Sequence, residues 1–327
     1  MNIFHFSFVI RESTLLMIEK MKNDEWKMEN PSGLWNEEMN ITAEPTGLDT
    51  QLKRDSSWSL WLRQILAIMR LDVEKNFFGK RAVLIYLLAA MPIGLLGLIA
   101  ILPPPAREWM DFSQYPAIFS VIYNTLILRT VIFFGCAWIF MNLFRGEIVD
   151  RSLHYYFLSA VRRDVLITGK YLSGLLTSVI LFVGVTVVSM LLLFFPHFFS
   201  ASTRFFLDGA GLGQLLTYAG ITILACLGYG AFFLVVGLFF RNPIIPALVL
   251  YGWEWLNFLL PPLLKKISVI HYLNSLVPVP LSEGPIAVAA EPTPAWISVP
   301  GLLIVTALVL FAASRRIRKM EISYGSD

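Results

Sequence analysis

Charged residues are scarce in this sequence. They make up 15% of its 327 residues, whereas 56% of the residues are hydrophobic. A soluble domain carries about a quarter charged residues, because it needs them to cover its surface. The charges are also clustered, so that long stretches contain none. This composition excludes an ordinary soluble globular protein and indicates a chain embedded in a lipid bilayer.

The sequence also lacks the motifs on which much catalysis and cofactor binding depend. It contains no G-x-x-x-x-G-K-[ST] phosphate-binding loop, no H-E-x-x-H, no G-x-S-x-G and no Rossmann glycine cluster. Its two cysteines, Cys136 and Cys226, lie inside apolar runs and form no metal-ligand pattern. We therefore expect no catalytic residue, no bound cofactor, no metal site and no nucleic-acid partner. Any work that the chain performs must draw its energy from another molecule.

Long apolar runs are what the sequence does contain. A spanning helix needs about 20 apolar residues, because about 30 Å of hydrocarbon is crossed at about 1.5 Å per residue. Every backbone group must be paired within such a segment, so the runs predict helices, and the lack of alternation excludes a β-barrel. The predicted fold is an all-α integral membrane protein with about six transmembrane helices. They cover approximately 82–102, 117–144, 165–195, 212–240, 243–260 and 296–313.

The positions of Lys and Arg predict the orientation, because cytoplasmic loops of membrane proteins are enriched in both. They cluster in four places, before the first predicted span, around the segment between the second and third, between the fourth and fifth, and after the sixth. The residues at these places, in chain order, are Arg63, Arg70, Lys75, Lys80 and Arg81, then Arg145, Arg151, Arg162, Arg163 and Lys170, then Arg241, and finally Arg315, Arg316, Arg318 and Lys319. The opposite side carries Arg107, Arg204, Lys265 and Lys266. Both termini are therefore predicted to be cytoplasmic, which agrees with an even number of spans.

The predicted six-span domain, residues 81–320, is flanked by segments of different composition. Residues 1–55 are polar, carry both signs of charge and predict a mobile cytoplasmic tail. Residues 56–80 repeat apolar side chains at three- and four-residue steps, which predicts an amphipathic helix in the membrane interface. An amphipathic helix packed on another protein domain is the alternative. Residues 321–327 predict a second, short cytoplasmic tail.

The segment before the last predicted span has an unusual composition. Within residues 265–294, the part 267–277 is too apolar for a solvent-exposed loop and too short to cross a bilayer. Non-helical backbone at membrane depth is tolerated only where protein or water surrounds it. We therefore expect a re-entrant or surface-lying helical pair on the outer side of the membrane.

The cytoplasmic segment 145–164, between the second and third predicted spans, is patterned for contact with a protein. A charged stripe stands at helical spacing on one face, formed by Glu147, Asp150, Arg151 and His154. Arg162 and Arg163 then mark the membrane boundary. A short helix lying along the membrane would present this stripe to a cytoplasmic partner. A basic loop that only determines topology is the alternative.

The same segment resembles the loop of type-2 ABC exporter permeases, which has the pattern R-E-x-x-x-G-T-L-E, a Pro-x-Ser-Arg turn, and Gly-Lys opening the third span. The positions that match without a gap are Glu147, Leu153, Arg163, Gly169 and Lys170, with Ser152 where Thr is usual. Arg151, His154 and Ala160 depart from the pattern, where the family has Gly, Glu and Pro. The resemblance extends over the chain from about residue 56 onwards.

This resemblance implies a permease subunit in the plasma (inner) membrane. Two six-span subunits, identical or different, would surround a central path, and a separate P-loop ATPase subunit would supply the energy. The coupling segment, 145–164, would contact that ATPase. A non-transporting membrane scaffold shares the topology, and a proton-coupled secondary carrier is the other alternative. A carrier typically has paired polar residues or broken helices in two related halves.

Two charges lie within the predicted spans, and each costs about 2.5–3.5 kcal/mol at the centre of a helix. Arg129 lies about 22 Å from the inner boundary, and Glu254 about 17 Å, at about 1.5 Å per residue. Because the two depths agree within about one turn, an intramembrane charged pair is predicted. The alternatives are that either residue lines a path for a substrate or ion, or that each reaches separately toward a membrane surface.

Overall fold

Helices account for the regular secondary structure throughout the described part of the computed structural model. The described residues are 57–79, 82–101, 111–149, 163–195, 202–207, 209–240, 242–266, 268–279 and 293–318. All of them belong to one unit, Ser56–Asp327. The two predicted tails, 1–55 and 321–327, lie outside the described residues, as does most of the coupling segment.

The helices follow the predicted apolar runs closely. Helix α3 begins at Phe112 and ends with the segment Phe133–Val149, and it is apolar over Phe112–Gly146. The other helices, in chain order, are α1 Ser57–Phe78, α2 Ala82–Ile101, α4 Arg163–Phe194, α5 Thr203–Leu207, α6 Gly211–Phe239, α7 Ile244–Trp255, α8 Pro262–Lys265, α9 Val269–Asn274 and α10 Ala295–Arg318. Five of them, α2, α3, α4, α6 and α10, are long and apolar enough to cross a membrane. The class of all-α, multi-pass membrane protein is therefore confirmed.

The fifth predicted span is shorter than expected. Helix α7 has 12 residues and is followed by a single 3-10 turn, Leu256–Leu259. Together they form one apolar helix, Ile244–Leu259, whereas a span requires about 20 residues. The count of six spans therefore stays a prediction. Helix α9 lies within the segment 265–294 where a helical pair was expected, and α8 ends at its first residue. Residues 280–292 lie outside the described residues, so the pair and its side of the membrane stay predictions.

Helix α6 is at the centre of the bundle, where it packs against α3, α4 and α10. Its most apolar stretch is 72% buried, whereas the corresponding stretches of α2 and α10 are 22% buried. The approach of α6 to α3 depends on Gly237. A Cβ atom there would lie 2.8 Å from Met141 Cα and 2.9 Å from the Met141 carbonyl oxygen. A small residue at this crossing lets the two backbones come together.

Helix α1 packs along α4 and has three distinct faces. Ile68 and Asp72 are buried, and Ile68 lies against Gly169 of α4. Leu62 and Leu66 of the predicted apolar face are 57% and 61% exposed. The charged residues Arg63, Arg70 and Glu74 are exposed on a third face. A helix is present where an amphipathic helix was predicted, and α4 of the same chain covers the face that contains Ile68 and Asp72. Its position in the membrane interface stays a prediction.

Candidate functional site: a polar centre within the membrane domain

Arg129 lies at the midpoint of the longest apolar helix. Helix α3 is apolar over Phe112–Gly146, so Arg129 follows its start by 17 residues and precedes its end by 17 (129 − 112 and 146 − 129). The side chain is half-buried. A permanent charge at this depth is expensive unless protein groups or water solvate it.

A π-helical segment determines which side chains accompany Arg129. Residues Tyr123–Ile132 form 10 residues of π-helix, in which hydrogen bonds connect residues five apart. The same step brings Asn124 beside Arg129, whose Nε donates to Asn124 Oδ1 at 3.0 Å. Thr130 Oγ1 likewise donates to the Thr125 carbonyl oxygen, at 3.2 Å. Segments of this type occur often at functional sites.

The polar side chains of α3 reach the C-terminal ends of two short helices. Arg129 Nη1 donates to the carbonyl oxygen of Trp255, the last residue of α7, at 3.3 Å. Asn124 Nδ2 donates to Oδ1 of Asn274, the last residue of α9, at 2.5 Å. The guanidinium is thus solvated by one amide side chain and one backbone carbonyl group.

Glu254 is enclosed at the opposite end of α9. Its side chain is 4% exposed, and its carboxylate accepts backbone N–H groups from Val269 at 3.1 Å and Ile270 at 3.0 Å. The hydroxyls of Ser268 and Tyr229 donate to it at 2.7 and 3.3 Å. Glu254 therefore caps the first turn of α9, whose amide groups would otherwise be unpaired.

Arg129 and Glu254, the two predicted intramembrane charges, lie near each other. The carbonyl oxygen that accepts the hydrogen bond from Arg129 belongs to Trp255, the residue after Glu254. Their surroundings differ, because four donors enclose Glu254 whereas Arg129 remains half-buried. The neutralisation of Arg129 by Glu254 stays a prediction. The sequence does not predict the donors around Glu254, because they come from two other segments of the chain, at Tyr229 and at 268–270.

Lys170 and Asp72 form a second buried charge pair, which the sequence analysis did not predict. Lys170 Nζ lies 3.3 Å from Asp72 Oδ2, with exposed fractions of 0% and 4% for the two side chains. Lys170 also donates to the Leu143 carbonyl oxygen at 3.2 Å, and its Nζ lies 5.5 Å from the centre of the Phe144 ring. From sequence alone, Lys170 was counted with the cytoplasmic cations that determine topology. The sequence feature that pointed to a buried charge was Asp72, which follows Ile68 by one helical turn on α1.

The predicted ATPase-coupling residues are only partly visible. Glu147 lies in the last helical segment of α3, while Asp150, Arg151, His154 and Arg162 lie outside the described residues. Arg163 begins α4, and its Nη1 donates to the Ile317 carbonyl oxygen of α10 at 3.1 Å. The next residue, Asp164, accepts a hydrogen bond from Ser314 Oγ of α10. The start of α4 is therefore bound to the end of the last helix.

Within the described ranges, no group of three or more His, Cys, Asp or Glu side chains could hold a metal ion. Comparison with known proteins adds no assignment: no family model matches the chain, and no curated protein sequence matches it. The function therefore has to be inferred from the residues and contacts of the chain.

Proposed function

We propose that this chain is the membrane-spanning permease subunit of an ATP-driven ABC exporter in the plasma (inner) membrane. It forms half of a translocation path with a second permease subunit, identical or different, and is coupled to a separate P-loop ATPase subunit. The observation that carries this proposal is the buried contact of Lys170 with Asp72 and the Leu143 carbonyl.

This contact joins the two ends of the coupling segment, 145–164. Leu143 lies just before the segment on α3, and Lys170 lies just after it on α4. Asp72 adds α1 to the same buried centre. Because protein interiors are densely packed, a displacement of the segment by a partner would pass to all three helices together. This is the connection that an externally driven permease requires.

The far end of the coupling segment is also anchored. Arg163 and Asp164 bind the last turns of α10 through the Ile317 carbonyl and the Ser314 hydroxyl. A loop whose only role is to determine topology does not require such anchoring at both ends. The anchors support a segment that transmits force between a cytoplasmic partner and the helices.

The proposal places the source of energy in a partner. The 327 residues contain no phosphate-binding loop, so ATP hydrolysis is assigned to a partner. The test is to express the chain with a span-free P-loop ATPase encoded in an adjacent reading frame. The ATPase should co-purify with the wild-type chain.

The deciding variant combines Glu147→Lys with Arg151→Glu in the coupling segment. Charges at the rim of a protein contact often contribute little singly, so the double reversal is the appropriate change. It should leave membrane insertion intact but abolish co-purification of the ATPase, or uncouple its hydrolysis from transport. The matched control reverses Arg70 and Glu74, two exposed charges of α1, and should retain the ATPase. Full binding and transport by the Glu147/Arg151 variant would refute the assignment.

A further inference from the structure

The C-terminal end of α10 carries two neighbouring arginines, Arg315 and Arg316, which we call the arginine pair. Both side chains are exposed, and both lie in the last turn of the apolar stretch Ala295–Ile317. Long charged side chains near the end of a spanning helix reach the level where hydrocarbon meets the lipid headgroups. The arginine pair therefore lies at a membrane surface, which the distribution of Lys and Arg predicts to be the cytoplasmic one.

Each guanidinium of the pair lies over an aromatic ring. Arg315 Cζ is 4.7 Å from the centre of the Phe311 ring, one turn earlier on α10, and Arg316 Cζ is 5.2 Å from the ring centre of Phe239, the last residue of α6. The two Phe residues are 55% and 46% exposed. Because a cation is attracted to the face of an aromatic ring, these contacts hold both charges against the apolar surface of the helices.

Positive charge predominates at this end of α10. Arg163 and Asp164 of α4 also lie here, bound to the Ile317 carbonyl oxygen and to the Ser314 hydroxyl. With the arginine pair, three of these four charged side chains are positive. Over the described residues, neither guanidinium of the pair forms a hydrogen bond or an ion pair. Their N–H donors are therefore available to an acceptor from outside the chain.

Exposed apolar side chains lead from Arg315 toward the middle of the membrane. Ile304, Leu308 and Phe311 precede it at steps of three and four residues, so they share one face of α10 with it. All three are exposed. A positive charge at the end of an apolar stripe complements a phospholipid with an anionic headgroup, whose acyl chains follow the phosphate into the bilayer.

We propose that the arginine pair binds the headgroup of an anionic phospholipid, whose acyl chains lie along the stripe of Ile304, Leu308 and Phe311. Guanidinium groups suit a phosphate, because their N–H donors can bind two of its oxygens at once. Basic sites of this kind recognise anionic headgroups on the cytoplasmic side of membranes. The site requires the spanning helices α6 and α10, so it would be present whether or not the chain transports a substrate.

Two protein occupants fit this surface less well. A second copy with the same orientation in the membrane would be related to the first by an axis normal to the bilayer. A symmetric contact through this face would bring the two arginine pairs together at equal depth, and juxtaposed like charges are unfavourable. An ATPase subunit would lie in the cytoplasm, whereas Phe311 holds the charge of Arg315 one turn toward the membrane.

The experiment measures which lipid lies beside the arginine pair. Ala312, which is exposed and one turn before Arg316, is replaced by Cys and labelled with a small fluorophore. The full chain, with the buried Cys136 and Cys226 replaced by Ala, is reconstituted with its co-purifying subunits in nanodiscs. The nanodiscs contain phosphatidylcholine and phosphatidylglycerol in equal amounts, and either lipid carries brominated chains, which quench the fluorophore at short range.

Brominated phosphatidylglycerol should quench the fluorophore more strongly than brominated phosphatidylcholine. Each arginine should contribute up to about fivefold to this preference. Arg315→Gln and Arg316→Gln should each lower the preference, and the double Gln variant should abolish it, whereas replacement of both by Lys should retain most of it. Equal quenching by the two lipids in the unsubstituted pair would overturn the proposal. Weak quenching by both would also overturn it, because protein would then cover the surface.

The matched control is Arg70→Gln, which removes an exposed positive charge from α1 and should leave the lipid preference unchanged. An equal loss in Arg70→Gln and Arg316→Gln would overturn the site, because the net charge of the protein would then determine the preference. Each variant should elute as a single folded species. The measurement depends on neither transport nor ATP hydrolysis, so its failure is distinguishable from a failure of the proposed function, which ATPase co-purification tests.

Discussion

Lys170 Nζ lies 3.3 Å from Asp72 Oδ2, which connects the amphipathic helix α1 to the third spanning helix, α4, through a fully buried pair. Removal of one partner leaves an uncompensated buried charge. Asp72→Leu or Lys170→Met alone should therefore lower the free energy of unfolding by about 3–5 kcal/mol. The double variant should recover much of this loss, because apolar residues can replace such a pair.

Thermal unfolding of the purified variants, followed by fluorescence, measures this coupling. Arg70→Met, an exposed charge on the same helix, is the control and should change stability by about 0.5 kcal/mol or less. A double variant as unstable as the worse single variant would show that the two side chains do not act as a pair.

Glu254 is expected to stabilise α9 through its hydrogen bonds. Glu254→Leu removes the acceptor for the Val269 and Ile270 amides and should cost about 1–3 kcal/mol for each buried donor left unpaired. Glu254→Gln retains one carbonyl oxygen and should be intermediate in stability. The melting temperatures of the three proteins in one detergent measure this order. Equal stability of the Leu variant and the wild type would contradict the capping role.

Gly237 is expected to tolerate no side chain, because its Cβ would lie 2.8 Å from Met141 Cα. Gly237→Ala should therefore reduce the yield of folded protein and its melting temperature. The matched control is Gly220→Ala on the same helix, where no atom lies within 4 Å of the added Cβ. This control should be neutral or stabilising by up to about 1 kcal/mol, because alanine favours helix. The same loss in both variants would indicate that contact with α3 is not the cause.

The orientation predicted from Lys and Arg can be measured by labelling from each side of sealed vesicles. In a chain without its native cysteines, Ser282→Cys should react with an impermeant reagent from the outside. Ser326→Cys should react only from the cytoplasmic side. Labelling of both positions from the same side would contradict a crossing by α10, whereas the reverse pattern would contradict the six-span topology and support five spans.

Local composition was enough to predict which segments are helical and apolar. The first span, predicted at 82–102, is Ala82–Ile101, and the last, predicted from about 296, begins at Ala295. This agreement has a physical cause: backbone groups in a bilayer must be paired within their own helix, so local composition is sufficient. The fifth run was less predictable, because a 3-10 turn interrupts it at Leu256–Leu259.

The pairing of the polar side chains, in contrast, depends on how the helices pack against one another. Lys170 pairs with Asp72 at a separation of 98 residues, and the position of Asp72 one turn after Ile68 did not identify Lys170 as its partner. The π-helical turn that aligns Asn124 with Arg129 and the amides that surround Glu254 likewise depend on which short helices meet α3 and α6. Lipid is as apolar as the helices, so hydrophobicity brings a segment into the membrane without choosing its neighbours. That choice depends on close packing and hydrogen bonding between helices, which exist only once the bundle has assembled.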